Sequence, residues 1–394
     1  MIELFFRRIF LFALVILAAW SGSALAQSRF DTSAPYAIMV EAKTGEVLFE
    51  KNADVPFPPA SMAKIMTTYL AFEMIANGEV SLDDTTIVAD ETWRQWNNQG
   101  STMFLKARDE VTIADLLQGI IVQSGNDATV VLAEALAGSE TLFVEWMNAK
   151  ADELGLRDSV YMTSNGWPAE GQVVTARDLA MLSYYMISNF PELYKMYAQR
   201  NFTYGVDLAG NPITQRNRNP LLGRVDGADG LKTGHTDEAG YGLTGSALRG
   251  DRRIIIVLSG LTSIRQRTVD SRSLINYGFN AYKTYSLFKA GDVVEDAAVW
   301  LGEEGKVPLV VDADVAITLS RSARNRMLVK LVYQSPIPAP IEAGQDIAHL
   351  VISTPGAEDR IIPLTAGRAV DEIGPFGRLG ALFSYLIFGN TATN

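Results

Sequence analysis

Ser61 and Lys64 are two residues whose types and spacing could support nucleophilic catalysis. They stand in the segment Pro58-Pro59-Ala60-Ser61-Met62-Ala63-Lys64, where an extended Pro-Pro stretch precedes an apolar run, Ile65 to Ile75, that predicts a helix. Positions i and i+3 share one face of a helix, so the hydroxyl and the amine can meet. A lysine whose pKa is lowered can take the proton that activates the serine. The alternative is that Ser61 only caps the helix, as serine commonly does.

A second polar motif, Ser124-Gly125-Asn126, interrupts two apolar segments that predict helices, from Thr112 to Val122 and from Ala128 to Leu136. It fits a helix C-cap followed by an N-cap. It equally fits a short loop between two buried helices that presents a hydroxyl and an amide to a site. The motif alone leaves both interpretations open.

A third motif, Lys232-Thr233-Gly234, lies in a predicted strand from Gly230 to Thr236. Side chains alternate along a strand, so Lys232 and Gly234 share a face. A glycine within a strand often marks a place where another backbone comes close. A peptide could add to this edge with its carboxylate at Lys232 and Thr233, or the triplet could be a surface strand that enters a glycine turn.

Composition excludes several classes of function. The chain has 394 residues and is 48% hydrophobic, which is enough for two domains with cores of their own. It has no cysteine, which excludes disulfides and thiol chemistry. The only two histidines, His235 and His349, give little support to a metal site or a Ser-His-Asp triad. His349 lies in an apolar predicted strand, so we expect it to be structural. The formal net charge of −11 makes nucleic acid a poor partner.

The first 26 residues have the pattern of a secretory signal peptide. Arg7 and Arg8 precede an apolar stretch, Ile9 to Trp20, and Ala24-Leu25-Ala26 resembles a cleavage site. Cleavage would leave Gln27 first and remove a net charge of +1, so that the mature chain would carry about −12. The alternative is a retained membrane helix, for which the apolar run is short.

The elements that position the motifs predict one sheet assembled from distant parts of the chain, with helices between them. Strands are expected at Tyr36–Glu41, Glu46–Phe49, Gly230–Thr236, Gly240–Leu248 and Arg252–Leu261. Helices are expected at Thr141–Leu154, Thr175–Ile187 and Ile264–Tyr285. The region Ser81–Asp109 and the turn Asn165-Gly166-Trp167-Pro168 are expected to form loops around a cleft.

Past Asp292 the composition changes to short alternating runs, which predict a small all-β domain, a sandwich or barrel, over residues 292–371. The runs are Ala297–Leu301, Val307–Val311, Val315–Leu319, Met327–Tyr333, Ala348–Ile352 and Arg360–Leu364. Apolar residues at helical spacing then predict an amphipathic helix over 374–390 that lies on a membrane surface. That helix could instead pack on its own domain or form a dimer contact.

The three motifs together resemble those of the low-molecular-weight penicillin-binding proteins that act as serine D-alanyl-D-alanine carboxypeptidases, peptidase family S11. The resemblance extends to the residues that flank each motif, in Pro59–Thr67, Ser124–Ala128 and Asp229–Thr236. It implies an α/β (α+β) penicillin-binding and β-lactamase-like transpeptidase domain over 27–288, with an antiparallel sheet and a helical cluster. It also implies the β domain, a periplasmic location, peripheral attachment to the inner membrane, and no metal or cofactor.

The resemblance also implies roles for individual residues. Ser61 would attack the carbonyl between two terminal D-alanines of a peptidoglycan stem pentapeptide, and Lys64 would accept its proton. Ser124 and Asn126 would relay a proton to the leaving amine and hold the substrate amide. The backbone N–H groups of Ser61 and His235 would form the oxyanion hole. The substrate carboxylate would bind the remaining residues, which are Lys232, Thr233 and Gly234 with Arg267 and Arg218. A β-lactam would mimic the substrate and acylate Ser61.

Three other functions are weighed against this one. A class A β-lactamase needs a glutamate that activates the deacylating water, and the corresponding stretch near Tyr161 and Met162 has none, with Glu170 the nearest. An endopeptidase of the same family would share every motif. A non-enzymatic penicillin sensor would not need Ser61, although no motif is degraded.

Overall fold

The computed structural model describes residues 30–354, 358–375 and 377–378. The chain separates into a short leading unit, Met1–Thr32, and a large unit, Ser33–Asn394, and the architecture below is that of the large unit. The predicted signal peptide lies outside the described residues, as does most of the predicted C-terminal helix. No helix among the described residues has the length and apolar character that crossing a bilayer requires.

The helices and strands are numbered in chain order. The strands are β1 Tyr36–Glu41, β2 Val47–Lys51, β3 Thr85–Ile87, β4 Glu110–Thr112, β5 Asn201–Val206, β6 Pro212–Arg216, β7 Ala228–Thr236, β8 Gly240–Arg249, β9 Arg252–Leu261, β10 Tyr282–Phe288, β11 Val293–Trp300, β12 Lys306–Val310, β13 Val315–Ser320, β14 Leu328–Tyr333, β15 Ile337–Pro338, β16 Asp346–Ser353 and β17 Arg360–Ala366. The α-helices are α1 Lys64–Ala76, α2 Asp90–Trp96, α3 Ile113–Gln118, α4 Asn126–Ala137, α5 Glu140–Glu153, α6 Ala176–Asn189, α7 Pro191–Tyr194, α8 Ile264–Ala281 and α9 Arg321–Arg324.

A five-stranded antiparallel sheet joins the two ends of the first domain in the order β2-β1-β9-β8-β7. The central strand β9 is rich in Ile and Val, which suits a strand buried on both faces. Its alternate residues Ile255 and Val257 belong to the large helical core, whereas Ile254 lies against Gly278 of α8 on the other face. The predicted antiparallel sheet with a helical cluster is therefore confirmed, and β7, which carries Lys232-Thr233-Gly234, is its edge strand.

Residues from β10 onward form an all-β domain with its own buried apolar cluster. Its six-stranded sheet has the order β14-β16-β17-β12-β11-β15, and β10 pairs with β13 beside it. The six alternating runs expected from the sequence overlap β11, β12, β13, β14, β16 and β17, with different ends. The predicted all-β domain is therefore confirmed. His349 lies on β16 opposite Val332 of β14.

Some local predictions were wrong. The helix expected over Ile264–Tyr285 ends at Ala281, because the aromatic and alternating segment that follows pairs as a strand. The region Ser81–Asp109, expected to be loops, contains β3 and α2. Pro59 is not extended, since its φ of −68° and ψ of −26° begin a 3₁₀ turn, Ala60–Ala63.

Gly166 allows the loop after Asn165 to approach the 3₁₀ turn that carries Ser61. Its φ is +75°, and a Cβ there would lie 1.9 Å from the carbonyl oxygen of Ala60. Ala60 itself has a φ of 47°, an uncommon conformation for a residue with a side chain. This close approach holds two loops that are distant in sequence against each other.

We expect Gly166→Ala to destabilise the fold far more than Gly171→Ala. Gly171 has a similar φ of +83° but nothing within 4 Å of its Cβ position, so it tests the cost of backbone conformation alone, about 1–2 kcal/mol. Gly166→Ala adds a backbone clash, for which a further loss of about 2 kcal/mol or more is expected. Urea unfolding of both variants measures the difference, and equal losses would contradict the close approach.

Candidate active site

Ser61 lies in the 3₁₀ turn Ala60–Ala63 directly before α1, and its side chain is half-buried. The N-cap positions of the turn and of α1 are Pro59 and Ala63, and neither makes a side-chain cap hydrogen bond. Helix capping therefore does not account for Ser61. Its Oγ lies 3.0 Å from Nζ of Lys64, the first residue of α1, as the i, i+3 spacing predicts.

The Lys64 amine is fully buried and has two further partners, both of which only accept hydrogen bonds. Nζ lies 2.8 Å from Oδ1 of Asn126 and 2.5 Å from the carbonyl oxygen of Asn165. The orientation of the Asn126 amide is fixed because its Nδ2 donates to the carbonyl oxygen of Gln99 at 3.0 Å. A neutral amine has two hydrogens and one lone pair. With both hydrogens directed to Asn126 and Asn165, the lone pair is left for the hydroxyl of Ser61.

Burial lowers the pKa of Lys64 to about 7, because the charged ammonium loses its hydration. Smaller effects are included in this value: the positive charge of Arg218 also lowers the pKa, whereas the carboxylates of Asp127 and Glu140 raise it. A lysine with an ordinary pKa of 10.5 would be almost entirely protonated at neutral pH. Lys64 can instead be neutral in a large fraction of molecules, as a general base must be.

Ser124 lies at the end of a π-helical turn, Gly119–Gln123, and has a φ of +63°. Its side chain is 2% exposed, and its Oγ has no hydrogen-bond partner among the described residues. A non-glycine residue in the left-handed region and an unpaired buried hydroxyl both have an energetic cost, and such features concentrate at functional sites. Asn126 follows as the first residue of α4, so the motif forms the loop between two buried helices.

Lys232 and Thr233 are 2% and 5% exposed on the edge strand β7. Nζ of Lys232 donates to the carbonyl oxygen of Thr233 at 3.1 Å. Burial lowers the pKa of Lys232 well below its ordinary value, and the charges of Lys64, Arg218 and Arg267 lower it further. Gly234 faces the 3₁₀ turn, since a Cβ at that position would lie 3.0 Å from the carbonyl oxygen of Pro59.

Arg218 and Arg267 complete a group of four cations around Ser61. Arg267 is 7% exposed, and burial lowers its pKa to about 10. Arg218 is exposed at the rim of the site, and partial burial lowers the pKa of its guanidinium. Within the described ranges, none of these four side chains, the two arginines and the two lysines, forms an ion pair with a carboxylate. The arrangement therefore attracts an anionic group to the neighbourhood of Ser61.

His235 follows Gly234 on β7, and its ring is exposed. The ring stacks on Tyr241 of β8 with 3.9 Å between the ring centroids. The guanidinium of Arg267 also lies over the Tyr241 ring, 5.7 Å from its centre. His235 and Arg267 are thus brought to the same aromatic residue, although they are separated in sequence.

The sequence did not reveal several groups that hold the site. The carbonyl of Asn165 contacts Lys64, but a backbone group has no signature in a sequence beyond the turn that was expected near the cleft. Asp127 fixes the loop between α2 and β4, because its carboxylate accepts from the backbone N–H groups of Met103 and Leu105 at 3.0 and 3.2 Å. The backbone N–H of Asn126 donates to the carbonyl oxygen of Ser101 in the same loop at 2.6 Å.

Two family models match the chain in succession. The model described as D-alanyl-D-alanine carboxypeptidase, Peptidase S11, matches residues 23–262. The chain belongs to this family. It is accordingly a serine hydrolase, as the relatives below also indicate. A model described as the C-terminal domain of penicillin-binding protein 5 matches residues 282–372.

Curated relatives and solved structures agree with this assignment. D-alanyl-D-alanine carboxypeptidase DacC of Escherichia coli is 35% identical over 87% of this chain and 85% of its own length. DacA of Haemophilus influenzae is 33% identical over 94% of each chain. The crystal structure of penicillin-binding protein 5 from Haemophilus influenzae has a TM-score of 0.77 at 32% identity, covering 87% of this chain and 99% of that one. Penicillin-binding protein D2 of Listeria monocytogenes in its ampicillin-bound form has a TM-score of 0.57 at 31% identity, covering 64% and 100%.

We expect the rate at which ampicillin acylates Ser61 to rise with pH and to level off above a midpoint near 7, because only the neutral Lys64 amine accepts a proton. Arg218→Gln removes a positive charge that lowers the pKa of Lys64, so the midpoint should move to higher pH. The rate is measured by mass spectrometry of the quenched protein.

Arg157→Gln is the matched control for this shift. Arg157 is exposed and does not contribute to the pKa of Lys64, so the same loss of charge should leave the midpoint unchanged. A midpoint that is the same in the Arg218 variant as in the unmodified protein would contradict the proposed electrostatic effect.

Proposed function

We propose that the protein is a D-alanyl-D-alanine carboxypeptidase that removes the terminal D-alanine from peptidoglycan stem pentapeptides through an acyl-enzyme on Ser61. The observation that carries the proposal is the contact of the buried Lys64 amine with the Ser61 hydroxyl, beside cations that no carboxylate neutralises within the described residues. Such a site pairs a nucleophile with a receptor for a substrate carboxylate.

Acylation begins when Ser61 Oγ attacks the carbonyl carbon of the penultimate D-alanine and its proton passes to Lys64. The carbonyl oxygen becomes an anion, which the backbone N–H groups of Ser61 and His235 stabilise. The C–N bond then breaks, and the leaving amine takes up a proton relayed through Lys64 and Ser124. The unpaired, buried Ser124 hydroxyl supports this relay, because it has no other partner among the described residues.

Substrate binding uses the edge of β7. Its outer backbone groups can pair with an extended peptide, and the substrate carboxylate binds Lys232 and Thr233 with help from Arg218 and Arg267. Gly234 leaves space beside the 3₁₀ turn that carries Ser61. The Asn126 side chain holds the substrate amide. Water then attacks the acyl-enzyme, which breaks the ester bond, releases the shortened peptide and returns the proton to Ser61. A β-lactam follows the same acylation route.

The contacts of the site disfavour a class A β-lactamase. The partners of Lys64 Nζ are a hydroxyl, an amide oxygen and a backbone carbonyl, and Glu170 is exposed in the wall of a neighbouring cavity. Glu140 accepts hydrogen bonds from the backbone and side chain of Ser164, so it has a structural partner. No carboxylate is thus in a position to replace the water-activating glutamate in the described site.

The location of the protein and its domain limits are part of the proposal. The signal-peptide pattern of residues 1–26 supports export to the periplasm, and the apolar pattern over 374–390 supports peripheral attachment to the inner membrane. We place the catalytic domain at 27–281 rather than 27–288. The pairing of β10 with β13 and the second family match from residue 282 support that limit, with the β domain ending near 371.

We expect the unmodified protein to release one alanine from a muropeptide monomer that ends in D-Ala-D-Ala, and Ser61→Ala to release none. Loss of one proton-transfer partner in Lys64→Ala should reduce the rate by about 10²–10⁴-fold. Both reactions are followed by mass.

A cross-linked muropeptide dimer, assayed in parallel, separates the other functions. Cleavage of the dimer alone would replace the proposal with an endopeptidase. If neither substrate reacts while ampicillin still acylates Ser61, the protein would be a penicillin sensor rather than a carboxypeptidase.

A further inference from the structure

A second cavity of about 510 Å³ opens beside the active site, and its most prominent feature is its arginines. We call it the arginine pocket, defined by Arg200, Arg216, Arg218, Arg224 and Arg267. Asparagine, threonine and apolar residues complete the lining, and no aspartate or glutamate contributes to it. This concentration of positive charge is unexpected in a chain whose formal net charge is −11.

The fold brings these arginines together from three segments of the chain. Arg200 immediately precedes β5, and Arg216 ends β6, which pairs with β5. The backbone N–H of Asn217 donates to the carbonyl oxygen of Arg200 at 2.7 Å, which closes the hairpin. The guanidinium of Arg200 fills the space above Gly223, where a Cβ would lie 2.8 Å from its Cζ. Local structure therefore places Arg200 and Arg216 next to each other at one end of the hairpin.

The positive charges in the pocket are not neutralised by the protein. Within the part of the chain that the structure describes, none of the five arginines forms an ion pair with a carboxylate. Elsewhere the chain does pair its arginines, as Arg253 with Asp229 at 2.7 Å shows. Like charges confined to one cavity repel each other, and an anion within hydrogen-bond distance would remove that repulsion.

Two buried donors in the pocket lack partners. Asn219 is 5% exposed and Arg267 is 7% exposed. Nδ2 of Asn219 and Nε of Arg267 have no hydrogen-bond partner among the described residues. Buried donors in folded proteins are nearly always paired, so these two orphans mark unused hydrogen-bonding capacity in residues that line the cavity.

We propose that the arginine pocket is a second binding site, for an anion that carries more than one phosphate or carboxylate group. Guanidinium groups match the planar geometry of such oxyanions and form charge-assisted hydrogen bonds with them. The pocket is distinct from the substrate-carboxylate site at Lys232 and Thr233, neither of which lines it. Arg218 and Arg267 are common to the two sites, whereas Arg200, Arg216 and Arg224 belong to the pocket alone.

Calorimetric titration of the protein without residues 1–26, at low ionic strength, tests the proposal. Inorganic diphosphate and citrate are the probes. We expect at least one probe to bind, and the stronger of the two distinguishes a phosphate site from a carboxylate site. Arg200→Gln combined with Arg224→Gln should weaken that binding about tenfold or more. Arg224→Gln alone, at an exposed position that should not affect folding, should weaken it several-fold.

Arg157→Gln is again the matched control, because Arg157 is an exposed arginine outside the pocket. It should leave the affinity unchanged. The proposal is overturned if neither probe binds, if the pocket variants bind as tightly as the unmodified protein, or if the control loses as much affinity as the pocket variants.

A second titration distinguishes the pocket from the active site. Ampicillin-acylated protein, checked by mass, should still bind the probe, because the antibiotic carboxylate would engage Lys232, Thr233, Arg218 and Arg267 but leave Arg200, Arg216 and Arg224 available. Loss of probe binding on acylation would place the anion in the substrate site and overturn the proposal of a separate pocket. The check by mass keeps a failure of acylation apart from a failure of anion binding.

Discussion

The burial of the Lys64 amine is the constraint on which the rest of the site depends. An ammonium group in a fully buried position is costly, and the protein lowers that cost by favouring the neutral amine. Neutrality alone would not direct the lone pair. The two fixed acceptors, Asn126 Oδ1 and the Asn165 carbonyl, engage the two hydrogens and leave the third direction to Ser61. Burial thus accounts for the charge state of the Lys64 amine, and the two acceptors account for its orientation.

The surrounding architecture holds those two acceptors in place. The Asn126 amide is oriented by Gln99 in one loop, and the Asn165 carbonyl belongs to another loop that Gly166 brings against the nucleophile turn. Trp167 of the second loop packs edge-on against Trp96 of α2, with 5.5 Å between the ring centroids. The positive charge of Arg218 adds to the effect of burial on the pKa of Lys64, and the cations together attract an anionic group to the site.

The sequence predicted the parts of this structure that depend on side-chain pattern. The strands of the sheet and the all-β domain follow from alternation and β-branched content, the antiparallel arrangement was implied by the family resemblance, and the Ser61–Lys64 contact follows from helical spacing. The sequence could not predict contacts made by backbone atoms, such as the carbonyl of Asn165, or the π-helical turn that places Ser124 in the left-handed region. It also missed the arginine pocket, because its residues come from three separated segments, 200–201, 216–224 and 264–268, that meet only in the folded structure.

The most direct test of this account is the titration of Lys64 itself. Selective ¹³C labelling of lysine Cε, with Lys64→Arg to assign the resonance, gives the pKa of the amine in the resting protein by NMR. The account predicts a pKa of about 7, well below the ordinary value of 10.5. A lysine that titrates near 10.5 would be an ammonium ion at neutral pH, and the proposed role of Lys64 as the base that activates Ser61 would then be wrong.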